Sequence, residues 1–189
     1  MQVWMVVTLM AALMVVGSIM WIMPSKHDRR IAKLRQQAIV SGIKVKLMKY
    51  PVINVSGRVE ENCHEGASYS FVDVPLKGVK TGWMLIRSDD QSEPLDGVNE
   101  NKPIDGWGWY IKQDELQEEI IAHIMQLTSK YSESLFAVSI MARSISIGWS
   151  EAGNQQDLDD FKVWAATLAD LMNKHFVKEG DHQGLDEID

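Results

Sequence analysis

The chain contains a single cysteine, Cys63, among its 189 residues. One cysteine cannot form an internal disulfide, and it excludes zinc sites built on a Cys-x-x-Cys pair. The sequence also lacks a phosphate-binding P-loop, a Gly-x-Gly-x-x-Gly turn, a Gly-x-Ser-x-Gly nucleophile turn and a His-Glu-x-x-His metal motif. These absences favour a protein without catalytic activity, and they predict no catalytic, cofactor-binding or metal-binding residue.

Charge is absent from the stretch between Val3 and Met23, where the only polar side chains are Thr8 and Ser18. Twenty-one helical residues at about 1.5 Å each measure roughly 32 Å, which matches a hydrocarbon core about 30 Å thick. Trp4 and Trp21 lie near the two ends, where indole rings prefer the headgroup level. The sequence therefore predicts a transmembrane anchor over residues 1–24.

The distribution of basic residues predicts the orientation of this anchor. No Lys or Arg precedes it, whereas the following segment, Lys26 to Lys49, carries one acid, Asp28, and eight basic residues. Because positive charge is retained on the cytoplasmic side, we expect the N-terminus outside a bacterial inner membrane and the remainder in the cytoplasm. A cleaved signal peptide is disfavoured because the chain has no basic n-region and no small-residue cleavage site before Pro24.

Hydrophobic periodicity predicts the organisation of the rest of the chain. Ser25 is expected to cap a basic juxtamembrane helix over residues 25–42, whose apolar positions are Ile31, Leu34, Ala38 and Ile39. Residues 43–177 are expected to form an acidic α+β domain, one mainly antiparallel sheet flanked by helices, and residues 178–189 a disordered acidic tail. Residues 50–189 carry a net charge of -14, which disfavours nucleic acid as a partner. The expected strands are Ile43–Lys49, Val52–Glu60, Ala67–Leu76, Gly82–Arg87, Leu135–Met141 and Ser144–Ser150, with helices beginning near Asp114 and Asp157.

The connections between strands and the buried faces are predicted from the same periodicity. A hairpin is expected at Lys77–Thr81 and a tight connection at Ala142–Arg143. Alternation is expected to place Tyr69 and Phe71 on one face of their strand, and Ile145, Ile147 and Trp149 on one face of the last strand. The apolar stripes of the two helices are expected at Leu116, Ile120, Ile121, Ile124 and Leu127, and at Leu158, Phe161, Trp164, Ala165, Leu168, Leu171 and Met172.

Three groups of side chains in the sequence are candidates for a functional site. Cys63 and His64 lie beside Glu60, Glu61 and Glu65, but the spacing lacks a second ligand pair and favours an exposed acidic turn over residues 61–66.

The second group lies in the long polar loop over residues 88–106, which contains Asp89, Asp90, Glu93 and Asp96. Val98 occupies the place where a calcium loop requires a second oxygen ligand, so the pattern favours a solvated acidic loop.

The third group comprises Trp107, Trp109 and Tyr110, which glycines flank. The pattern favours packing in a core, with a partner-binding surface as the alternative.

The chain resembles a group of uncharacterised proteobacterial inner-membrane proteins in two regions. The first is the apolar span with Met23-Pro24-Ser25-Lys26 after it and the Arg29-Arg30-x-x-Lys33-Leu34-Arg35 helix that ends at Gly42. The second is the pair of C-terminal strands with Trp149 and the acidic helix start that follows them. Some members of that group are named as the small single-span accessory subunit of the Sec preprotein translocase. The resemblance implies a single-span protein of the inner membrane, and it brings no catalytic residues.

Together these observations predict a membrane-anchored accessory or interaction protein, whose partners are the lipid bilayer and another protein. Two alternatives remain open at this point. One is a membrane-tethered enzyme with a site in the 88–110 loop, and the other is an inverted periplasmic domain that binds envelope glycans. The sequence does not identify the protein partner or the oligomeric state.

Overall fold

The structure is a computed structural model that describes residues 2–22, 24–53, 59–72, 76, 82–87, 106–112, 116–141 and 144–182. Side chains are described for residues 3–17, 24–50, 65–72, 76, 82–87, 106–111, 116–141 and 144–175. The chain divides into two compact units, Met1–Leu34 and Arg35–Asp189, and each is described by itself.

The first unit contains helix α1 (Gln2–Ile22) and the first turns of helix α2 (Lys26–Val40). In α1, large apolar side chains are exposed from Val3 to Val16, and Thr8 donates its hydroxyl to the carbonyl of Trp4. Across the described parts of the chain, no helix reaches the combined length and hydropathy that a membrane span demands.

Ser25 caps α2 as the sequence predicts. Its hydroxyl accepts a hydrogen bond from the backbone N–H of Asp28, and the Asp28 carboxylate accepts one from the backbone N–H of Ser25. This reciprocal arrangement is a capping box, and the bonds to Ser25 lower the pKa of Asp28. At the other end, Gly42 has a φ of 83°, a left-handed conformation that ends a helix with little strain in glycine.

The second unit is α+β, and its core is one antiparallel six-stranded sheet, which confirms the predicted fold class of this part. The spatial order is β1-β2-β6-β5-β3-β4, so that β1 and β4 are the edge strands. The strands are β1 (Ile43–Ile53), β2 (Val59–Phe71), β3 (Trp83–Arg87), β4 (Trp107–Lys112), β5 (Leu135–Met141) and β6 (Ser144–Trp149).

The separate strand expected at Val52–Glu60 was wrong, since Val52 and Ile53 end β1 whereas Val59 and Glu60 begin β2. Strand β1 continues through Pro51, and the pairing register shifts between Pro51 and Val52. A proline that cannot donate to the ladder is tolerated there because β1 is an edge strand. The acidic turn expected over residues 61–66 was wrong, since these residues belong to β2, in which Cys63 pairs with Pro51.

The connection between β2 and β3 also differs from the prediction. The sequence places a hairpin between the strands expected at Ala67–Leu76 and Gly82–Arg87, but β2 pairs with β1 and β6, whereas β3 pairs with β4 and β5. The hairpin that is confirmed is β5–β6, where Met141 lies opposite Ser144. Its two strands insert in the middle of the sheet and separate β2 from β3.

Helices α3 (Glu118–Lys130) and α4 (Gln155–His182) supply the other half of the core. Of the first predicted stripe, Ile120, Ile124 and Leu127 of α3 are buried, as is Leu116 just before the helix, whereas Ile121 is half-buried. Of the second, Leu171 of α4 is half-buried, and the other positions are buried, namely Leu158, Phe161, Trp164, Ala165, Leu168 and Met172.

The helix bounds differ from the prediction. Helix α3 begins after Gln117 rather than near Asp114, a residue that lies outside the described parts. Helix α4 extends to His182, five residues into the segment expected to be disordered.

Each face of the sheet has its own character. Ile145, Ile147 and Trp149 of β6 are fully buried on one face, and Trp149 meets Phe161 of α4 edge-on at 5.1 Å between ring centroids. The opposite face carries small residues, among them Ser146, which hydrogen-bonds to a serine of β2. This division confirms the predicted alternation in β6, in which apolar side chains face the helices.

Candidate functional site

The most unusual residue of the second unit is Glu151, which lies in the loop between β6 and α4. It is the one non-glycine residue with positive φ (61°) in the described parts of the chain, and it is only 4% exposed. A left-handed conformation costs about 1–2 kcal/mol for an ordinary L-residue, and burial of a carboxylate costs more unless donors surround it. The surroundings of Glu151 therefore have to compensate for both.

Two side chains from distant parts of the chain donate to this carboxylate. The Arg35 guanidinium donates from Nε to Oε1 at 2.6 Å and from a terminal nitrogen to Oε2 at 2.5 Å. The Tyr69 hydroxyl donates to Oε1 at 2.6 Å. A two-point contact between planar groups is the strongest form of ion pair, because it combines charge with fixed geometry. We name these three residues the Arg35–Glu151–Tyr69 cluster.

Both donors hold their protons tightly. The hydrogen bond from Arg35 to the Glu151 carboxylate raises the pKa of the guanidinium. Burial, followed by the hydrogen bond to Glu151, raises the pKa of the Tyr69 hydroxyl well above its ordinary range. Neither donor therefore exchanges a proton near neutral pH, which general acid–base catalysis would require.

The cluster joins three elements of the second unit. Arg35, the first residue of this unit, lies on α2, Tyr69 lies in β2, and Glu151 follows β6. The contacts bridge 116 and 82 positions of sequence. The arrangement links α2 to β2 and to the loop that follows β6.

A layer of aromatic rings continues from the cluster toward α4. Tyr69 meets Trp149 edge-on at 5.5 Å between ring centroids, Trp149 meets Phe161, and Phe161 meets Tyr131 at 4.8 Å. The indole N–H of Trp149 is buried and has no acceptor among the described residues, so this ring contributes packing area and shape.

A second polar group lies where the aromatic layer ends. The Tyr131 hydroxyl lies 3.1 Å from a carboxylate oxygen of Asp157 and of Asp160 and shares its one proton between them, and Lys130 forms an ion pair with Asp160 at 2.7 Å. Burial raises the pKa of Tyr131 to about 12, and the bond to Lys130 lowers the pKa of Asp160. Asp157 also accepts from the backbone N–H of Asn154 at 2.7 Å, so this group caps the start of α4.

Of the side chains considered as ligands in the first group, those of Glu60, Glu61, Cys63 and His64 lie outside the described ones. Glu65 is exposed and forms an ion pair with Lys49 across the β1–β2 ladder, and the described residues contain no cluster of metal-ligating side chains. Asp89, Asp90, Glu93 and Asp96 lie outside the described residues.

The aromatic group of β4 is divided between core and surface. Trp107 is buried, as the packing hypothesis expects, whereas Tyr110 is 44% exposed.

Sequence reasoning missed the cluster for identifiable reasons. In the sequence, Arg35 is one of the basic residues that predict the membrane orientation, and Glu151 has no motif around it. The alternation in β2 did place Tyr69 on one face of a strand, but it gave no sign of the partner.

A comparison with known protein families, with curated proteins and with solved structures finds no match for this chain. The resemblance to the proteobacterial inner-membrane group therefore stays a prediction, and the site has to be interpreted from its own chemistry.

Proposed function

We propose that this protein is a membrane-anchored accessory or interaction protein, in which α1 crosses a bacterial inner membrane and the α+β domain lies in the cytoplasm. The single observation that supports the anchor is the exposure of large apolar side chains along α1, for example 77% at Trp4 and 76% at Met14. A water-soluble domain rarely exposes a continuous apolar surface of this kind.

The described side chains of α1 alone fall short of a membrane span, so the proposal also draws on the sequence that follows them. The described side chains cover residues 3–17, roughly 22 Å of helix, and the full helix of 21 residues measures about 32 Å. The sequence remains apolar up to Met23, so the anchor that we propose has the thickness of a hydrocarbon core.

We propose a role in protein interaction rather than in catalysis, because the donors of the best-defined polar site are bound to its own carboxylate. In the Arg35–Glu151–Tyr69 cluster, both donor side chains bind one carboxylate, and neither donor releases a proton near neutral pH. Such a cluster would hold the end of α2 firmly on the domain, at the place where the chain arrives from the proposed anchor. The acidic surface beyond residue 50 would then be available to a protein partner with complementary charge.

The orientation can be tested by thiol labelling in whole cells. The lone Cys63 is replaced by serine, and Val163, which is 68% exposed on α4, is replaced by cysteine. We expect a membrane-impermeant maleimide to label this V163C variant only after the inner membrane has been permeabilised.

Labelling after denaturation serves as the control for thiol reactivity. Labelling that occurs while the inner membrane is intact would contradict the cytoplasmic orientation. It would direct attention to the inverted arrangement, in which an envelope glycan is the ligand to examine.

A further inference from the structure

An apolar and basic surface lies at the end of α2 and the start of β1, within the second unit. Three large apolar side chains are exposed there, Ile39 by 61%, Val40 by 82% and Leu47 by 65%. Lys44 and Lys46 are exposed between them in the sequence. We name these five residues the α2–β1 corner.

The exposure of the corner is unusual for this unit. Of its large apolar side chains described as exposed, only four exceed one half, and three of these belong to the corner. The fourth is Val163 on α4. Ile39 belongs to the apolar stripe of α2 and is exposed, although its neighbour Ala38 is buried.

The geometry of an edge strand lets one partner touch both kinds of side chain. Lys44 and Lys46 point to the sheet face that carries Ser68 and Ser70, whereas Leu47 points to the other face, opposite Ala67. Because β1 is the outermost strand, both faces meet at its free edge.

The charge around the corner has one sign. The chain contains no Asp or Glu between Arg29 and Val59, although residues 60–189 hold 25 of its 26 acidic residues. Next to the corner, Lys49 forms an ion pair with Glu65 at 2.8 Å. The basic corner therefore attracts an anionic partner. The net negative charge of the rest of the domain repels such a partner.

We propose that the α2–β1 corner rests on anionic lipid headgroups, with Ile39, Val40 and Leu47 entering the interfacial region and Lys44 and Lys46 contacting the headgroup charges. The inference rests on the proposed function, because the α1 anchor supplies the bilayer. Helix α2 has fifteen residues, about 22 Å, so the chain can place Val40 no further than this from its start. Apolar side chains surrounded by lysines are the composition that binds the surface of an anionic membrane.

Lysines on an edge strand also have a protective role, since they oppose pairing with another chain. That role explains why lysines occupy positions 44 and 46, but it does not explain why Ile39 and Val40 are exposed. A lipid surface accounts for both, because it accepts apolar side chains and basic side chains together.

The test uses the full chain with Cys63 replaced by serine and an NBD fluorophore attached to a V40C variant. The protein is reconstituted into vesicles of phosphatidylcholine alone or with added phosphatidylglycerol. We expect NBD emission to be blue-shifted and stronger in the anionic vesicles, and to revert at high salt because the headgroup attraction is screened. NBD on V163C, a position of similar exposure on α4, is the matched control and should be the same in both vesicles.

The lysines are tested by the double variant K44Q/K46Q in the V40C background. If each lysine contributes about fivefold to binding, the equilibrium between the docked and the free corner should shift roughly 25-fold, and the blue shift should disappear.

Equal emission from V40C in the two kinds of vesicle would overturn the inference, as would an equal shift at V163C. A shift seen in native membranes but not in vesicles of pure lipid would also overturn it, and would identify a protein as the occupant. Flotation tests the anchor separately: a chain that fails to float with phosphatidylcholine vesicles at high salt has no α1 anchor, whatever the emission shows.

Discussion

Replacing Arg35 by alanine is expected to lower the free energy of unfolding of the α+β domain by about 3 kcal/mol. The side chain of Glu151 is only 5% exposed, and the variant leaves its carboxylate in the interior without the guanidinium. Removal of one partner from a buried pair costs about 3–5 kcal/mol, and the 32% exposure of the Arg35 side chain places the effect at the lower end. Urea denaturation of the full chain in mild detergent, followed by tryptophan fluorescence, measures the change.

The matched control is Lys33→Ala, which removes an exposed basic residue from the same helix and should change the stability by less than about 0.5 kcal/mol. The triple variant R35M/Y69F/E151L replaces the cluster with apolar groups and should recover most of the loss, because no charge is then buried. If R35A unfolds at the urea concentration of the wild type, the cluster does not hold the domain together.

Replacing Gly66 by alanine is expected to cost about 3 kcal/mol, because the ring of Phe136 lies where the new methyl group would be. A Cβ built on Gly66 would approach the Phe136 Cζ to 2.1 Å. The ring cannot move aside freely, since it also lies within 2.8 Å of a Cβ built on Gly148 and packs edge-on against Tyr50. Phe136 is 5% exposed, so the conflict occurs in a closed part of the core.

A double-mutant cycle separates this conflict from any general effect of the alanine. In a Phe136→Leu background, where the distal ring atoms are absent, Gly66→Ala should cost less than about 1 kcal/mol, which gives a coupling energy of about 2 kcal/mol. Chemical denaturation of the four proteins of the cycle measures it. Equal costs in the two backgrounds would show that Phe136 does not cover Gly66.

Local sequence patterns correctly predict the elements whose interacting residues are close together in the chain. Ser25 and Asp28 form the capping box across three positions, and Met141 and Ser144 close the β5–β6 hairpin. The apolar stripe of α4 predicted Leu158, Phe161 and Leu168 as core residues, because a helix repeats its buried face every three or four positions.

The features that could not be predicted from the sequence depend on contacts between residues far apart in the chain. Residues 61–66 are polar and acidic, so their local pattern favours a turn, but the ladder with β1 holds them in a strand. Pro51 is a strand breaker by propensity and is tolerated by its edge position. The pairing of Arg35 with Glu151 spans 116 positions and depends on a left-handed backbone at Glu151, for which a lone glutamate gives no local signal.

The measurement that tests the account most directly is alkaline carbonate extraction of membranes that contain the full chain. We predict that the wild-type protein stays with the membrane pellet. The L9K/L13K variant should move to the soluble fraction, since two lysines in the middle of α1 oppose insertion by about 6 kcal/mol.

The control is Val163→Lys, a substitution at a similarly exposed position on α4, which should leave the protein in the pellet. A wild-type chain released by carbonate, or an L9K/L13K chain retained as firmly as the wild type, would contradict an anchor formed by α1.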